Sequence, residues 1–211
     1  MAMRLIQFTL CLIVFASPSL GEPRYQIDGN TLTFNMGVPG GPGEFTGQLE
    51  YYDLREIGEL IFESVEVEVL KVTGPGGSMI AAREIANKVI NLNLDTVAYG
   101  DCMSACTMIF LAGKKRTLAE NSRLGFHKQL VVKRDHKPIY EAYKDAKGWE
   151  DEFEYFNYNY DRLVTELVDD IKFINSRGVS MDFILNIFST ANEDLWLPSR
   201  EVLLSSGAIT E

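Results

Sequence analysis

Helical and strand-like spacings of apolar residues alternate along the first half of the chain. Apolar residues recur at helical intervals over 54–61, and acidic and apolar residues then alternate over 65–72 as in a half-buried strand. The same reading predicts a helix over 79–92, a strand over 95–99 and an apolar helix from Ser104. This alternation predicts an α/β layer architecture with parallel strands.

The remaining pattern adds short strands at the start and helices at the end. Strands are predicted at 25–27 and 31–35, ahead of the glycine- and proline-rich loop GVPGGPGEF. A helical arm is predicted over about 138–190, with Ser180 as N-cap of its last helix and His136 in an exposed loop before it. An apolar stripe within the arm fits a self-association surface, a lid or a helix packed on its own domain. The stripe consists of Phe153, Phe156, Tyr160, Leu163, Leu167, Ile171 and Ile174.

The first 21 residues have the pattern of a secretory signal peptide. Arg4 precedes an apolar run of about a dozen residues, and small residues lead to a predicted cut after Gly21. An uncleaved membrane anchor is the alternative. Cleavage would leave a single domain over 22–211, exported to a periplasm or secreted.

Charge and cysteine content narrow the classes of partner. The chain carries 30 acidic and 20 basic residues, a net charge of −10, which disfavours nucleic acid and anionic membrane surfaces as partners. Cys102 and Cys106 would remain after signal removal, an even number in an oxidising compartment. No spacing of histidines and cysteines suits a metal, and no phosphate-binding loop motif occurs, so no cofactor is predicted.

Candidate chemistry is concentrated in two turns and one histidine. Ser104, in the stretch GDCMSAC, follows a predicted strand and opens a helix, where free N–H groups stabilise negative charge. The turn TGPGGS ends the preceding strand, and its Gly76 and Gly77 offer N–H groups for an oxyanion, although such a turn can also be purely structural. His127 is one of two histidines in the chain and a candidate general base.

Three segments in this order resemble the Clp protease proteolytic subunit, a serine peptidase of the crotonase-like fold. They are TGPGGS, GDCMSACTMIFLAGKKRTLAENSRLGFHK and NEDLWLPSREVLLSSG, and the resemblance covers about residues 47–210. It implies a fold of repeated β-β-α units with a helical arm. It also implies a homo-oligomer and a peptide or protein substrate. The family's cytosolic ATP-driven unfoldase is not expected as a partner of an exported chain.

The resemblance assigns roles to individual residues. Ser104 would be the nucleophile, His127 the general base, and Asp194 the carboxylate that orients the histidine, with the adjacent Glu193 as the alternative. Gly77 and Ala105 would supply the oxyanion-hole N–H groups. The chain is thus predicted to be a serine peptidase, and a catalytically silent binding or scaffold module is the alternative.

Three features depart from the family: the long aromatic segment between His127 and Asp194, a pair of cysteines, and Lys128. Cys102 and Cys106 flank the serine turn and are predicted to form a disulfide, the alternatives being two buried thiols or a thiol redox role. Lys128 replaces a glutamine after the histidine. Adjacent strand residues point to opposite faces, so Lys128 is predicted to be a solvated surface charge.

Overall fold

The computed structural model describes residues 23–39, 47–63, 66–129, 136–191 and 193–211. They form a mixed α/β protein with six strands and seven helices in this part of the chain. The strands are β1 (Tyr25–Asp28), β2 (Thr31–Asn35), β3 (Val69–Gly74), β4 (Asp95–Met103), β5 (Arg116–Leu118) and β6 (Arg123–Gly125). The helices are α1 (Asp53–Glu63), α2 (Met79–Asn91), α3 (Ala105–Leu111), α4 (His136–Lys147), α5 (Glu152–Ser176), α6 (Met181–Ser189) and α7 (Arg200–Ser205). The predicted signal segment and most of the glycine- and proline-rich loop lie outside the described residues.

One mostly parallel sheet organises the fold, as the alternation of elements predicts. Its order is β1-β2-β3-β4-β5, and β6 pairs with the far end of β4. Only β1 and β2 are antiparallel, and helices α1, α2 and α3 connect the parallel strands from β2 to β5. This arrangement brings the carboxyl ends of β3 and β4, and the turns that follow them, to the same edge of the sheet.

The core is formed by the sheet and helices α1 to α3, with apolar side chains added from α5, α6 and α7. Leu32 and Phe34 of β2 and Leu70 of β3 are completely buried. All residues of α3 are buried, and α2 buries its Ala81 and Ile85 side. Each large apolar side chain buried in this way contributes about 1.5–3 kcal/mol, so the helix that follows Ser104 is firmly held.

Strand β4 is longer than predicted and changes register along its length. Val72 pairs with Ala98, whereas Gly74 pairs with Cys102, so β4 contains extra residues around Gly100, whose φ is +57°. The predicted strand ends at 99 because Gly100 interrupts the alternation. Pairing of the end of β4 with β6, which is distant in sequence, extends the strand to Met103. Strand β3 in turn begins at 69 rather than 65.

The predicted arm consists of α4, α5 and α6. The prediction that His136 lies in a loop is wrong, because His136 is the first residue of α4. Ser180 accepts a hydrogen bond from the Phe183 N–H and caps α6, as predicted. None of the helices in the described ranges combines the length and apolar character that crossing a membrane requires.

Helix α5 exposes its predicted apolar stripe in the first half, where Tyr155 and Tyr158 on another side of the helix contact Trp149. Phe153, Phe156 and Tyr160 in the first half are 66%, 60% and 60% exposed. Asp170 and Ile174 near the other end are buried. The stripe predicted from the sequence is therefore packed on its own domain at one end and open to solvent at the other.

Candidate functional site

Ser104 occupies a sharp turn between β4 and α3. Its backbone has φ 53° and ψ −124°, a conformation that costs a non-glycine residue about 1–3 kcal/mol. The Ser104 N–H donates to the Gly125 carbonyl at 2.8 Å, and its carbonyl accepts from the Thr107 N–H at 2.9 Å. The side chain does not cap the helix, so the hydroxyl is available for other contacts. A strained strand-to-helix turn of this kind presents the nucleophile in several hydrolases.

A disulfide closes the chain on either side of this serine. The sulfur atoms of Cys102 and Cys106 lie 1.98 Å apart, at disulfide bonding distance, as predicted. Cys102 belongs to β4 and Cys106 to the first turn of α3, and both are completely buried. The bond therefore ties the end of the strand to the start of the helix.

The turn with Gly76 and Gly77 packs directly against the serine turn. A Cβ atom on Gly76 would lie 2.6 Å from the Met103 carbonyl oxygen and 2.7 Å from the Ala105 nitrogen. A Cβ atom on Gly77, whose φ is +142°, would lie 2.3 Å from the Leu49 carbonyl oxygen. Only glycine allows these approaches, and they bring the backbone of the glycine turn to the N-terminus of α3.

Two N–H groups at this junction suit an oxyanion. Leu49 is hydrogen-bonded to the Gly76 carbonyl at 2.6 Å and to the Ser78 N–H at 2.9 Å, so this pairing leaves the Gly77 N–H unused. Ala105 is the first residue of α3, where a helix leaves N–H groups without intrahelical partners. The sequence predicted both groups for this role.

His127 is half-buried on the segment that follows β6. Its Nδ1 lies 2.7 Å from the Lys128 carbonyl oxygen, so Nδ1–H donates and Nε2 is the ring nitrogen that can accept a proton. Main-chain bonds between Phe126 and Trp196, at 2.9 and 2.8 Å, hold the segment in place. Lys128 is exposed, as predicted.

Ser104, Gly77 and His127 line one cavity of about 630 Å³. Its apolar lining includes Met79, Ile80, Met108, Leu111, Ile174, Ile187 and Phe188, and its polar lining includes Gln48, Glu50, Gln129, Arg162 and Glu166. Among the described hydrogen bonds, none joins the Ser104 hydroxyl to the His127 ring. The structure thus brings these two residues to one cavity without a described hydrogen bond between them.

Asp194 and Glu193 lie outside this cavity. Both are exposed, and the Asp194 carboxylate has no hydrogen bond or ion pair within the described residues. The Phe126–Trp196 bridge is antiparallel and places the 194–196 segment beside that of His127. The candidate carboxylates are therefore on the neighbouring segment, but the hydrogen-bond partner of His127 Nδ1 is the Lys128 carbonyl and not a carboxylate.

Sequence reasoning missed the charged cluster that holds α5 over the cavity. Arg83 of α2 donates to both Asp170 oxygens at 2.8 Å, to Glu166 at 3.2 Å and to Gln129 at 3.4 Å. The hydrogen bond to Asp170 is the main cause that raises the pKa of Arg83. Glu166 and Asp170 are one turn apart on α5, which predicts a common face but does not identify Arg83 as the partner.

Comparisons with known proteins assign the chain to no family. No protein-family model matches the chain, and no curated protein matches it. Within the described residues, no group of histidine, cysteine and acidic side chains is arranged to hold a metal ion. The structure defines an α/β protein in which a strained serine turn, a glycine turn and a histidine line one cavity.

Proposed function

We propose that the protein is a serine hydrolase that cleaves peptide bonds with Ser104 as nucleophile and His127 as general base. The observation that carries the proposal is the strained Ser104 turn, which opens on the same cavity as His127. The Lys128 carbonyl fixes Nδ1–H, which leaves Nε2 as the proton acceptor. Nucleophilic catalysis needs a serine and a base that can reach it, and the shared cavity supports this pairing.

The reaction follows from these positions. Nε2 of His127 removes the hydroxyl proton of Ser104 while Oγ bonds to the peptide carbonyl carbon, and the oxygen that becomes negative receives the Gly77 and Ala105 N–H groups. His127 then donates its proton to the leaving amine, and the C–N bond breaks. His127 then deprotonates a water molecule, whose oxygen bonds to the carbonyl carbon of the Ser104 ester. The bond from that carbon to Oγ breaks, His127 returns the proton to Oγ, and the peptide leaves as a carboxylic acid. The proposal requires a closing movement that brings the Ser104 hydroxyl within hydrogen-bonding distance of His127 Nε2.

Asp194 is proposed as the carboxylate that stabilises protonated His127. It would replace the Lys128 carbonyl at Nδ1 when the neighbouring segments close, and assembly into a homo-oligomer is the proposed trigger. Replacement of Asp194 by Asn, with Glu193→Gln as the matched control, identifies the carboxylate through the rate of adduct formation at Ser104. The proposed fold is crotonase-like, similar to the Clp protease proteolytic subunit.

The proposed substrates are short peptides or exposed loops of proteins in an exported compartment. The buried disulfide fits an oxidising compartment. No ATP-driven unfoldase is proposed as a partner, so the substrate must reach the cavity already extended.

Covalent labelling with a fluorophosphonate, followed by peptide mapping by mass spectrometry, tests the proposal. We expect an adduct on Ser104 of the wild type and none on Ser104→Ala. Ser122→Ala is the matched control, because Ser122 lies outside the cavity and accepts a hydrogen bond from the Gly100 N–H at 2.9 Å. The control should label like the wild type. No adduct at Ser104 in monomer or oligomer would overturn the proposal.

A silent binding module is the second candidate, favoured by the exposed Asp194 and by the absence of a Ser104–His127 hydrogen bond within the described residues. Such a module would bind peptides in the cavity without cleaving them. Equal peptide binding by the wild type and Ser104→Ala, with no adduct and no cleavage product, would support it.

A further inference from the structure

The disulfide encloses the candidate nucleophile. The segment 102–106 begins in β4, where Cys102 pairs with Gly74 on one side and Leu124 on the other, and ends in α3 at Cys106. Both anchoring ends are in the core, since Cys102 and Cys106 are completely buried. Ser104 is at the middle of this closed ring.

The Ser104 backbone needs such a restraint, because an unrestrained segment would relax out of this conformation. A positive φ is unfavourable for a side-chain-bearing residue and persists only where the surroundings enforce it. The Ser104 N–H donates to Gly125, and its carbonyl accepts from both the N–H and the hydroxyl of Thr107, but none of these hydrogen bonds joins β4 to α3 across the serine. Without a cross-link, the turn could relax by adding Ser104 to α3 or to β4, and its hydroxyl would leave the cavity.

We propose that the Cys102–Cys106 disulfide is a positioning element that holds Ser104 in its reactive conformation and makes the reactivity of Ser104 depend on oxidation of the pair. The proposal rests on the proposed function. Reduction would transfer two electrons and two protons from a dithiol to the sulfurs, giving two thiols and the oxidised, disulfide form of the reductant. Because the bond is buried, the reductant reaches it only after local opening.

The first test compares inactivation of the oxidised wild type and the Cys102→Ala/Cys106→Ala variant by a fluorophosphonate. We expect the maximal inactivation rate of the variant to fall roughly 10- to 100-fold, as for a misplaced catalytic group, with little change in the concentration for half-maximal rate. Ile109→Ala is the matched control, because Ile109 is equally buried in α3 but outside the cavity. A variant that retains the wild-type maximal rate overturns the proposal.

A second preparation guards against a variant that fails to fold. The wild type, refolded while a dithiol keeps Cys102 and Cys106 reduced, has the native side chains and lacks only the disulfide bond. It should show the same loss of maximal rate, and reoxidation should restore it. A reduced, folded protein as reactive as the oxidised one overturns the proposal.

Hydrogen exchange separates failure of this proposal from failure of the proposed function. The Ser104 N–H is bonded to the Gly125 carbonyl at 2.8 Å and reports the turn directly. We expect it to exchange roughly ten-fold faster without the disulfide, through local opening, while Ala98 in the middle of β4 keeps its protection. If the wild type forms no adduct, the proposed function fails, and the exchange rate of the Ser104 N–H alone tests whether the disulfide positions the turn. Unchanged protection of the Ser104 N–H without the disulfide overturns the positioning role.

Discussion

The two walls of the cavity are held by different kinds of interaction. Ser104, Gly77 and His127 form the sheet wall, where main-chain hydrogen bonds, close glycine contacts and a disulfide fix the backbone. The arm wall is the C-terminal half of α5, fixed by Ile174 packing and by side-chain ion pairs to Arg83. The groups proposed for chemistry are thus on the wall that backbone interactions and a covalent bond hold, whereas the opposite wall depends on a few side chains.

The glycine turn should be the most sensitive part of the sheet wall. Gly77→Ala adds a Cβ 2.3 Å from the Leu49 carbonyl oxygen at a φ of +142°. We expect the free energy of unfolding to fall by about 3–5 kcal/mol, from steric overlap and the positive φ together. Chemical denaturation measures the loss.

Gly148→Ala is the matched control for this prediction. Its φ is +71°, but an added Cβ meets no atom within 4 Å, so only the conformational cost of about 1–2 kcal/mol is expected. Equal losses for the two variants would mean that close packing does not define the sheet wall.

On the arm wall, Arg83 should matter more than any exposed charge. Arg83→Met leaves Asp170 buried without its partner, and we expect a loss of about 2–4 kcal/mol in the free energy of unfolding. Arg162→Met removes an exposed partner of Glu166 and should cost less than about 0.5 kcal/mol. Chemical denaturation gives both values, and faster hydrogen exchange confined to α5 in Arg83→Met would locate the effect. A loss for Arg83→Met no larger than that for Arg162→Met would argue against the ion pair as the anchor of the arm.

A half-buried tyrosine in β1, Tyr25, predicts a loss of stability at alkaline pH. Burial, together with the hydrogen bond that Tyr25 donates to Asp53, raises the pKa of Tyr25. The neutral phenol is favoured in the folded state, so its stabilising contribution is present below pH 10 and is lost as the pH rises through the raised pKa. The free energy of unfolding of the wild type should therefore fall more steeply above pH 10 than that of Tyr25→Phe. Identical slopes in pH-dependent denaturation would contradict this.

The smallest effect is expected in the exposed half of α5. Phe156 is 60% exposed, so Phe156→Ala should change the free energy of unfolding of dilute protein by less than about 0.5 kcal/mol. Sedimentation of the same variant at rising concentration tests whether the stripe is a self-association surface. A large loss of stability in dilute protein would show that Phe156 packs within its own chain.

Local pattern predicted the elements that depend on nearby residues. Helix α2 begins at the predicted Met79 and has Ser78 as its N-cap, because apolar spacing and capping act within a few residues. The end of β4 was not predicted, because Met103 is in a strand only through its pairing with Gly125. His136 was misjudged because its charged neighbours suggest a loop as readily as the start of an exposed helix.

In the candidate site as well, sequence motifs identified the residues but not the contacts that form only in the folded protein. Motif order led to Ser104, Gly77 and His127, which the fold brings to one cavity. It could not show that His127 Nδ1 bonds to the Lys128 carbonyl, since that depends on a side-chain torsion. The Arg83–Asp170 pair was also beyond prediction, because its members are 87 residues apart and meet only after α5 folds back over α2.

The rate of adduct formation at Ser104 tests the central claim most directly. The second-order rate constant for a fluorophosphonate is measured for the wild type, His127→Ala and His136→Ala, which replaces the other histidine of the chain. A serine activated by His127 predicts a loss of about 10²–10⁴-fold in His127→Ala, the range for a general base, and an unchanged rate in His136→Ala. A His127→Ala variant that reacts at Ser104 as fast as the wild type would contradict the account.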